Sequence, residues 1–203
     1  MARGKNTTVK VVLSNVRIKT GTVNDDLLTE PMLIDLLNMN VAAIARRLSR
    51  INAPIYMTTG TLTLSGGSYS LTSLAIEKII KLVDGTLGLV LPVPPADYEN
   101  ISLLISQNTS SMYYAQEGES IRIFKGTTLG AHGTITLYYY QIPTYATLVT
   151  EYPDLPDSFT SLLVKMICAD VYSYLNKGQR DAGREKEISD DFGEIEKTYG
   201  VAA

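Results

Sequence analysis

Two stretches of the chain place apolar residues three and four positions apart, which is the spacing of an amphipathic helix. The first is residues 29–54, where Thr29 supplies a capping oxygen and Pro31 fits the first turn. Its apolar positions are Ile34, Leu37, Val41, Ile44, Leu48 and Ile51. The second lies in residues 143–176, where a loop leads into a helix with apolar positions at Phe159, Leu162, Leu163, Met166, Ile167, Val171 and Tyr174. Because each apolar face needs a partner of similar length, we expect the second long helix to pack on the first.

The stretch between these helices, residues 55–142, has the pattern of β structure. Short runs rich in β-branched residues and tyrosine are separated by turn signals about every eight to twelve residues. Asp84-Gly85 and Glu117-Gly118 are expected to form hairpin turns, and residues 95–105 predict a short helix at the sheet edge. The predicted fold class is therefore α+β, with an antiparallel β insertion, a small sandwich or barrel, between two long helices.

The N-terminal residues 1–28 form a basic arm. Its cations, which all precede the first acid, are Arg3, Lys5, Lys10, Arg17 and Lys19. We interpret the segments VKVVL and VRIK within it as a solvated strand, since lysines are common at strand edges. Contact with nucleic acid or with an acidic protein surface is the alternative. The arm has no aromatic or arginine-dense cluster, so dedicated DNA binding is not supported.

The C-terminal residues 177–203 form a tail that is mostly charged. Its sparse apolar residues recur at helical spacing and are Ile188, Phe192, Ile195 and Tyr199. With so few apolar residues, the tail is expected to be too polar to fold into the core. We expect an extended or helical segment. It either contacts a partner or frays in solution.

The composition is that of a soluble globular protein and offers no sign of a membrane span or a disulfide framework. The 203 residues are 45% hydrophobic and 19% charged, which is ordinary for a soluble globular protein. No apolar run reaches the roughly 18 to 20 residues of a membrane span, and the N-terminus lacks the apolar core of a signal peptide. Cys168 is the only cysteine, so no intrachain disulfide is possible, and synthesis in a reducing cytoplasm is expected.

The inventory of catalytic side chains is thin. His132, the only histidine, lies in a glycine-rich loop, and Cys168 lies within the second long helix. One histidine and one cysteine cannot assemble a zinc site of the usual nitrogen and sulfur ligands, and no catalytic dyad is indicated. The loop GTTLGAHGT lacks the Gly-Lys-Ser/Thr ending of a phosphate loop. We therefore expect no enzyme and no cofactor, with both residues chemically inert.

The order of these motifs is similar to that of a known protein family. The motifs are LIDLLNMNVAAIARRL at 33–48, SYSL…IEKIIKLVDG at 68–85, PADYE at 95–99, MYYAQEGESIRIFKG at 112–126, TITLYYYQIP at 134–143 and YPDLPDSFTSLLVKMICADVYSYL at 152–175. Together they resemble the head-to-tail connector, or adaptor, proteins of tailed bacteriophages. The resemblance covers most of residues 29–177 and leaves both ends of the chain unmatched.

This resemblance implies a structural virion protein of the neck. Such a protein forms a ring, commonly of twelve subunits, beneath the portal, where it joins the capsid to the tail and continues the DNA channel. Its implied partners are copies of itself, the portal, tail or neck proteins, and DNA that passes without sequence-specific binding. Assembly in the host bacterial cytoplasm, with no membrane contact, is implied as well.

Candidate contact residues follow from the resemblance together with the charge pattern. The portal contact would lie in the tail and involve Lys177, Arg180, Arg184, Phe192 and Tyr199. Channel or partner contacts would involve Arg46, Arg47 and Arg50, although these cations also complement the dipole at the end of the first long helix.

The competing hypothesis is a free-standing β-sandwich that binds sugar or peptide. Its aromatic platform would consist of Tyr69, Tyr113, Tyr114, Tyr138, Tyr139 and Tyr140. The chain has no tryptophan, which weakens this hypothesis, and alternating tyrosines are often half-buried sheet residues.

Overall fold

The fold consists of two compact units. The computed structural model describes residues 6–23, 27–65, 68–129 and 133–199, so His132 lies outside the described residues. One unit, here called the helical unit, combines Met1–Ile55 with Ile142–Ala203. The other, the β unit, is Tyr56–Gln141. The predicted α+β fold class is confirmed.

The described residues form five α-helices and eight strands. The helices are α1 (Val9–Thr20), α2 (Glu30–Arg50), α3 (Ile101–Gln107), α4 (Thr160–Leu175) and α5 (Ala182–Tyr199). The strands are β1 (Met57–Leu62), β2 (Leu64–Ser65), β3 (Ser68–Ser70), β4 (Ile76–Asp84), β5 (Gly88–Pro92), β6 (Met112–Glu117), β7 (Ser120–Lys125) and β8 (Ile135–Gln141). Short 3₁₀ turns at Pro54–Tyr56, Pro95–Asn100 and Asp157–Phe159 complete the elements.

The helical unit is built around α4. The Thr29 hydroxyl caps α2 by accepting from the Met32 amide, and α2 packs on α4 as predicted. The fully buried side chains of α2 recur three and four positions apart and are Leu33, Leu37, Val41, Ile44 and Leu48. Between the two helices, the Asn40 amide donates to the Asp170 carboxylate at 2.7 Å. The apolar face of α2 and the Asn40–Asp170 hydrogen bond thus fix the position of α2 on α4.

The interpretation of the N-terminal arm as a solvated strand is wrong. Residues Val9–Thr20 form α1, which packs on α4 and ends at Gly21 in the left-handed conformation (φ 71°). The buried positions Val9, Val12, Leu13 and Val16 have helical spacing, and their burial outweighs the strand preference of valine. Two first-turn amides of α1 donate to the carbonyls of Val149 and Glu151, so the segment after β8 completes the helix start.

The sequence predicted an extended or helical C-terminal tail, and the tail is helical. The expectation that the tail is too polar to pack on the rest of the chain is wrong. Ala182–Tyr199 forms α5, which packs on α4. Acidic side chains of α5 form ion pairs with Arg47 of α2 and Lys165 of α4. These ion pairs help a helix with few apolar residues to pack on the helical unit.

The β unit is a single curled sheet with the order β1-β8-β4-β5-β6-β7-β3-β2. Neighbouring strands are antiparallel except β5 and β6, which run parallel. The expectation of a purely antiparallel insertion is corrected at this pair, because the 3₁₀ turn and α3 carry the chain back to the start of β6. β1 and β2 are separated only by Thr63 yet border opposite ends of the order, so one continuous segment brings the two ends of the sheet together.

The curled sheet encloses its own core. The buried side chains of this core are Leu62, Tyr69, Leu71, Leu82, Val90, Met112, Ile121, Ile135, Leu137 and Tyr139. A smaller cluster of Val93, Tyr113 and Ala115 is covered by Ile101 and Leu104 of α3. The predicted hairpin turns are present between β4 and β5 and between β6 and β7. At the first, the buried Asp84 carboxylate accepts from the amides of Thr86, Leu87 and Gly133.

Candidate interaction surface on the C-terminal helix

The predicted portal residues all lie on α5 or on the segment that leads into it. Residues 176–181, here called the linker, are exposed and turn the chain back along α4. Lys177 (φ 54°) and Gly178 (φ 89°) adopt the left-handed conformation, which is uncommon for a residue such as lysine. The Gly178 amide donates to the Ser173 carbonyl at 2.7 Å, which closes the end of α4. The linker therefore fixes where α5 begins but contributes nothing to the core.

The start of α5 is organised by Asp181. Its carboxylate accepts from the Gly183 amide at 2.9 Å and from Arg184 Nε at 3.2 Å. Hydrogen bonds from the backbone amides of Gly183 and Arg184, with a smaller contribution from the Arg184 side chain, lower the pKa of Asp181. A negative side chain at this position also complements the helix dipole.

Arg47 of α2 makes the principal contact with the far half of α5. Its Nε donates to Glu196 Oε1 at 2.8 Å, and its guanidinium carbon lies 4.5 Å from the centre of the Phe192 ring. Phe192 is 6% exposed and is the only buried residue among the eighteen described residues of α5. Arg47 therefore joins a charge pair and a ring contact in one side chain.

Three further contacts with α4 or the turn before it hold α5. Lys165 donates to Asp191 at 2.7 Å, and this hydrogen bond raises the pKa of Lys165. The Arg184 guanidinium lies 3.7 Å from the centre of the Tyr172 ring. The Phe159 and Tyr199 rings lie 5.9 Å apart at the other end of the helix. Together with Arg47, these contacts run along the length of α5.

The packing beneath α5 is incomplete. A cavity of about 160 Å³ remains there, lined by Lys19, Lys165, Cys168, Arg184, Glu187 and Ile188. The Cys168 thiol is buried, and burial raises its pKa despite the nearby cations of Lys19 and Arg184. A thiol in this state is protonated at neutral pH and is a poor nucleophile.

Among the residues that the structure describes, neither a set of grouped metal ligands nor a helix suited to crossing a membrane is found. Within the described ranges, no three His, Cys, Asp or Glu side chains are grouped as metal ligands would be. Of the helices in the part of the chain that the structure describes, none combines the length and the apolar character that crossing a bilayer requires.

Comparison with known proteins identifies the family. The family model described as SU10 adaptor protein matches residues 7–202. The chain belongs to the SU10 adaptor protein family. It is therefore a phage adaptor, a structural component of the virion that interacts with other head or tail proteins. No curated protein matches the chain significantly.

In this SU10 adaptor, the residues predicted to contact a portal fall into two groups. Lys177 and Arg180 are exposed on the linker, where Arg180 pairs with Glu185 at 3.0 Å. Phe192 and Tyr199, by contrast, are engaged within the chain, as is Arg184 through its contact with Tyr172.

The cations predicted for the channel differ in their exposure. Arg47 is bound to α5, whereas Arg46 and Arg50 are exposed. Sequence reasoning missed Lys165, Asp191 and Glu196. The available signal was the excess of acidic residues on the predicted tail helix, in a chain whose α1 and α2 segments carry clustered cations.

The tyrosines proposed as an aromatic platform do not form one in this SU10 adaptor. Tyr69, Tyr113, Tyr139 and Tyr140 are buried, and Tyr114 and Tyr138 are half-buried. Burial is the main reason that the pKa values of Tyr69, Tyr114 and Tyr140 are raised. These tyrosine side chains therefore pack within the β unit, and they do not form an exposed platform that could bind a sugar.

Proposed function

We propose that this SU10 adaptor is a head-to-tail connector. Copies of the chain form a ring, with twelve as the expected number, beneath the portal, where they join the capsid to the tail and continue the DNA channel. The observation that carries this proposal is the family match over residues 7–202. The same proposal locates the protein in the neck of the virion and its assembly in the host bacterial cytoplasm.

Exposed apolar side chains support assembly into a ring. A ring contact is heterologous, so each subunit must offer two different adhesive surfaces. The helical unit exposes Val11, Ile18, Met39, Tyr145 and Leu148. The β unit exposes Leu64, Leu89, Leu91, Tyr98 and Leu103. Each unit therefore carries apolar side chains that its own core leaves exposed, as subunit contacts require.

DNA contact within this function is electrostatic. The exposed Arg46 and Arg50 are the candidates for facing the channel, because cations on its wall hold passing phosphates without reading sequence. Replacing both with glutamine should leave ring size unchanged and alter DNA retention or ejection. Unchanged DNA retention in particles carrying that variant would remove these residues from the channel.

The portal contact is proposed to lie in the C-terminal tail. Lys177, Arg180 and Arg184 supply charges that set register, and Phe192 and Tyr199 supply the apolar anchors. A chain truncated after Asn176 keeps α1, α2 and α4, so we expect it to remain folded and to lose sedimentation with purified portal rings. Portal occupancy equal to that of the full chain would mean that the dock lies elsewhere in the protein.

A further inference from the structure

The contacts that hold α5 are those that salt weakens most. Of its eighteen residues, one is buried, and the ion pairs at Glu196 and Asp191 are partly exposed, with side-chain exposure between 29% and 43%. Partly exposed charge pairs contribute little individually, and ions in solution screen them. The cavity beneath the helix removes part of the packing that would otherwise compensate.

The charge of α5 is complementary to the surface on which it lies. The helix carries six acids against three bases, namely Glu185, Glu187, Asp190, Asp191, Glu194 and Glu196 against Arg184, Lys186 and Lys197. The side chains that meet its acids are cations, Arg47 from α2 and Lys165 from α4. These charge pairs add to the buried Phe192 and to the ring contacts at Tyr172 and Phe159, and they are the part of the attachment that salt weakens.

The linker would allow α5 to detach from α2 and α4 while the rest of the helical unit stays folded. Its six residues are all exposed, and it contains the left-handed Lys177 and Gly178. The buried side chains of α1, α2 and α4 form a core to which α5 adds only Phe192. Local opening is favoured where buried apolar contacts are few, as they are here.

We infer that α5 is a detachable arm held closed by Arg47 and Lys165, and that its closed position withholds Phe192 from other proteins. The first half of this inference rests on the contacts within the chain alone. The second half rests on the proposed portal function, since the side chain that would anchor the tail is already occupied. Binding to a portal therefore requires the arm to open first, and this lowers the apparent affinity by the fraction of chains that are open.

The opening is measured with a single fluorescent reporter. The chain contains no tryptophan, so Phe192→Trp places the only one beneath Arg47. In the closed arm its emission should be blue-shifted and shielded from acrylamide, a neutral quencher whose collisions do not depend on salt. Raising NaCl from about 0.05 to 1 M shortens the Debye length from more than 10 Å to about 3 Å. We expect quenching by acrylamide to rise over this range. Unchanged quenching and emission would overturn the charge-held arm.

Charge reversal identifies the side chains responsible. Arg47→Glu and Glu196→Arg each place like charges together, so each should increase the open fraction, by about fivefold. The double variant restores an opposite pair but not the contact of a cation with the ring at position 192, so quenching should return part of the way to that of the parent. Arg50→Glu is the matched control, because it makes the same charge change at an exposed position of the same helix. Equal effects of Arg47→Glu and Arg50→Glu would exclude a specific latch at Arg47.

Hydrogen exchange tests the same opening with Phe192 in place. A detached helix of eighteen residues is marginal in water, so amides of residues 188–199 should exchange faster in Arg47→Glu than in the parent. Amides of α2 and α4 should keep their protection. Loss of protection throughout the helical unit would mean that the variant unfolds the unit, which contradicts an independent arm.

Portal binding separates the two halves of the inference. If the closed arm withholds Phe192, Arg47→Glu should bind portal rings more tightly than the parent, by the same factor as its increase in open fraction. An arm that opens in the fluorescence and exchange assays without any change in portal affinity would refute the second half alone. Loss of portal binding on truncation after Asn176, together with no opening in any assay, would refute the arm and retain the proposed dock.

Discussion

Substitution of two neighbouring valines in α1 tests the largest difference between the sequence interpretation and the structure. Val12 is fully buried and Val11 is 49% exposed, as expected for a helix whose apolar face is Val9, Val12, Leu13 and Val16. In the solvated strand predicted from the sequence, Val9, Val11 and Leu13 would share one face instead. Truncating each valine to alanine therefore gives opposite results for the two structures.

The expected magnitudes follow from burial and helix propensity. Val12→Ala removes two buried methyl groups, which costs about 2 to 3 kcal/mol including the cavity that remains. Alanine is the better helix former by roughly 0.5 kcal/mol, so the net loss should be about 1.5 to 2.5 kcal/mol. Val11→Ala keeps the gain in propensity and loses little burial, so its free energy of unfolding should change by less than about 0.5 kcal/mol.

Urea unfolding measured by circular dichroism at 222 nm provides the assay. Most helical residues belong to the helical unit, so this signal follows the unit that contains α1. The midpoint should fall for Val12→Ala at an unchanged m value and stay near the parent for Val11→Ala. Equal destabilisation by both variants, or none by either, would refute the packing of α1 on α4.

Three further predictions concern the core, the inert side chains and pH. Leu163→Asp should abolish soluble expression because it buries an unpaired charge at a side chain that is 1% exposed; normal yield and melting temperature would contradict the core described here. Cys168→Ala should lower the free energy of unfolding by about 1 to 2 kcal/mol. That variant and His132→Asn should both leave assembly and infectivity intact, and loss of infectivity with retained folding would reveal an unrecognised site. The amides of Thr147 and Leu148 lower the pKa of Glu151, so its contribution to stability is present above its ordinary pKa and is lost as pH falls through the lowered one. Glu151→Gln should therefore destabilise at pH 7 and by progressively less as pH falls below the ordinary carboxyl range, and equal destabilisation at every pH would exclude the carboxylate charge as the cause.

The elements that the sequence predicted well are those specified by several local signals at once. In α2, the cap at Thr29, the proline at Pro31 and the apolar stripe all indicate the same helix, and the structure has it. The hairpins at Gly85 and Gly118 are similar, since a turn signal lies between two runs with strand propensity. Local agreement of this kind does not require knowledge of distant contacts.

The elements that were predicted wrongly depend on residues far apart in the chain. α1 is rich in β-branched residues, and only its burial on α4 makes it a helix. The parallel pairing of β5 with β6 depends on how α3 returns the chain, which hydrophobic alternation does not report. Both require tertiary contacts that a pattern within one segment cannot encode.

The candidate surface was found in part for the same reason. Phe192 and Tyr199 were recognised because they are the aromatic residues of a polar tail. The ion pair that holds this helix was missed because Arg47 and Glu196 are 149 positions apart, and neither residue indicates the other in sequence. The tail could be predicted as a helix and as a contact element, but not as a helix already docked on its own chain.

The most direct test of the connector proposal is a cryo-electron microscopy reconstruction of the neck of the phage particle that carries this chain. We expect a ring of identical subunits directly beneath the portal, twelve in number, into whose density the helical unit and the β unit each fit, with residues 177–199 against the portal. Density for this chain elsewhere in the particle, or a portal that joins the tail with no such ring between them, would contradict the account.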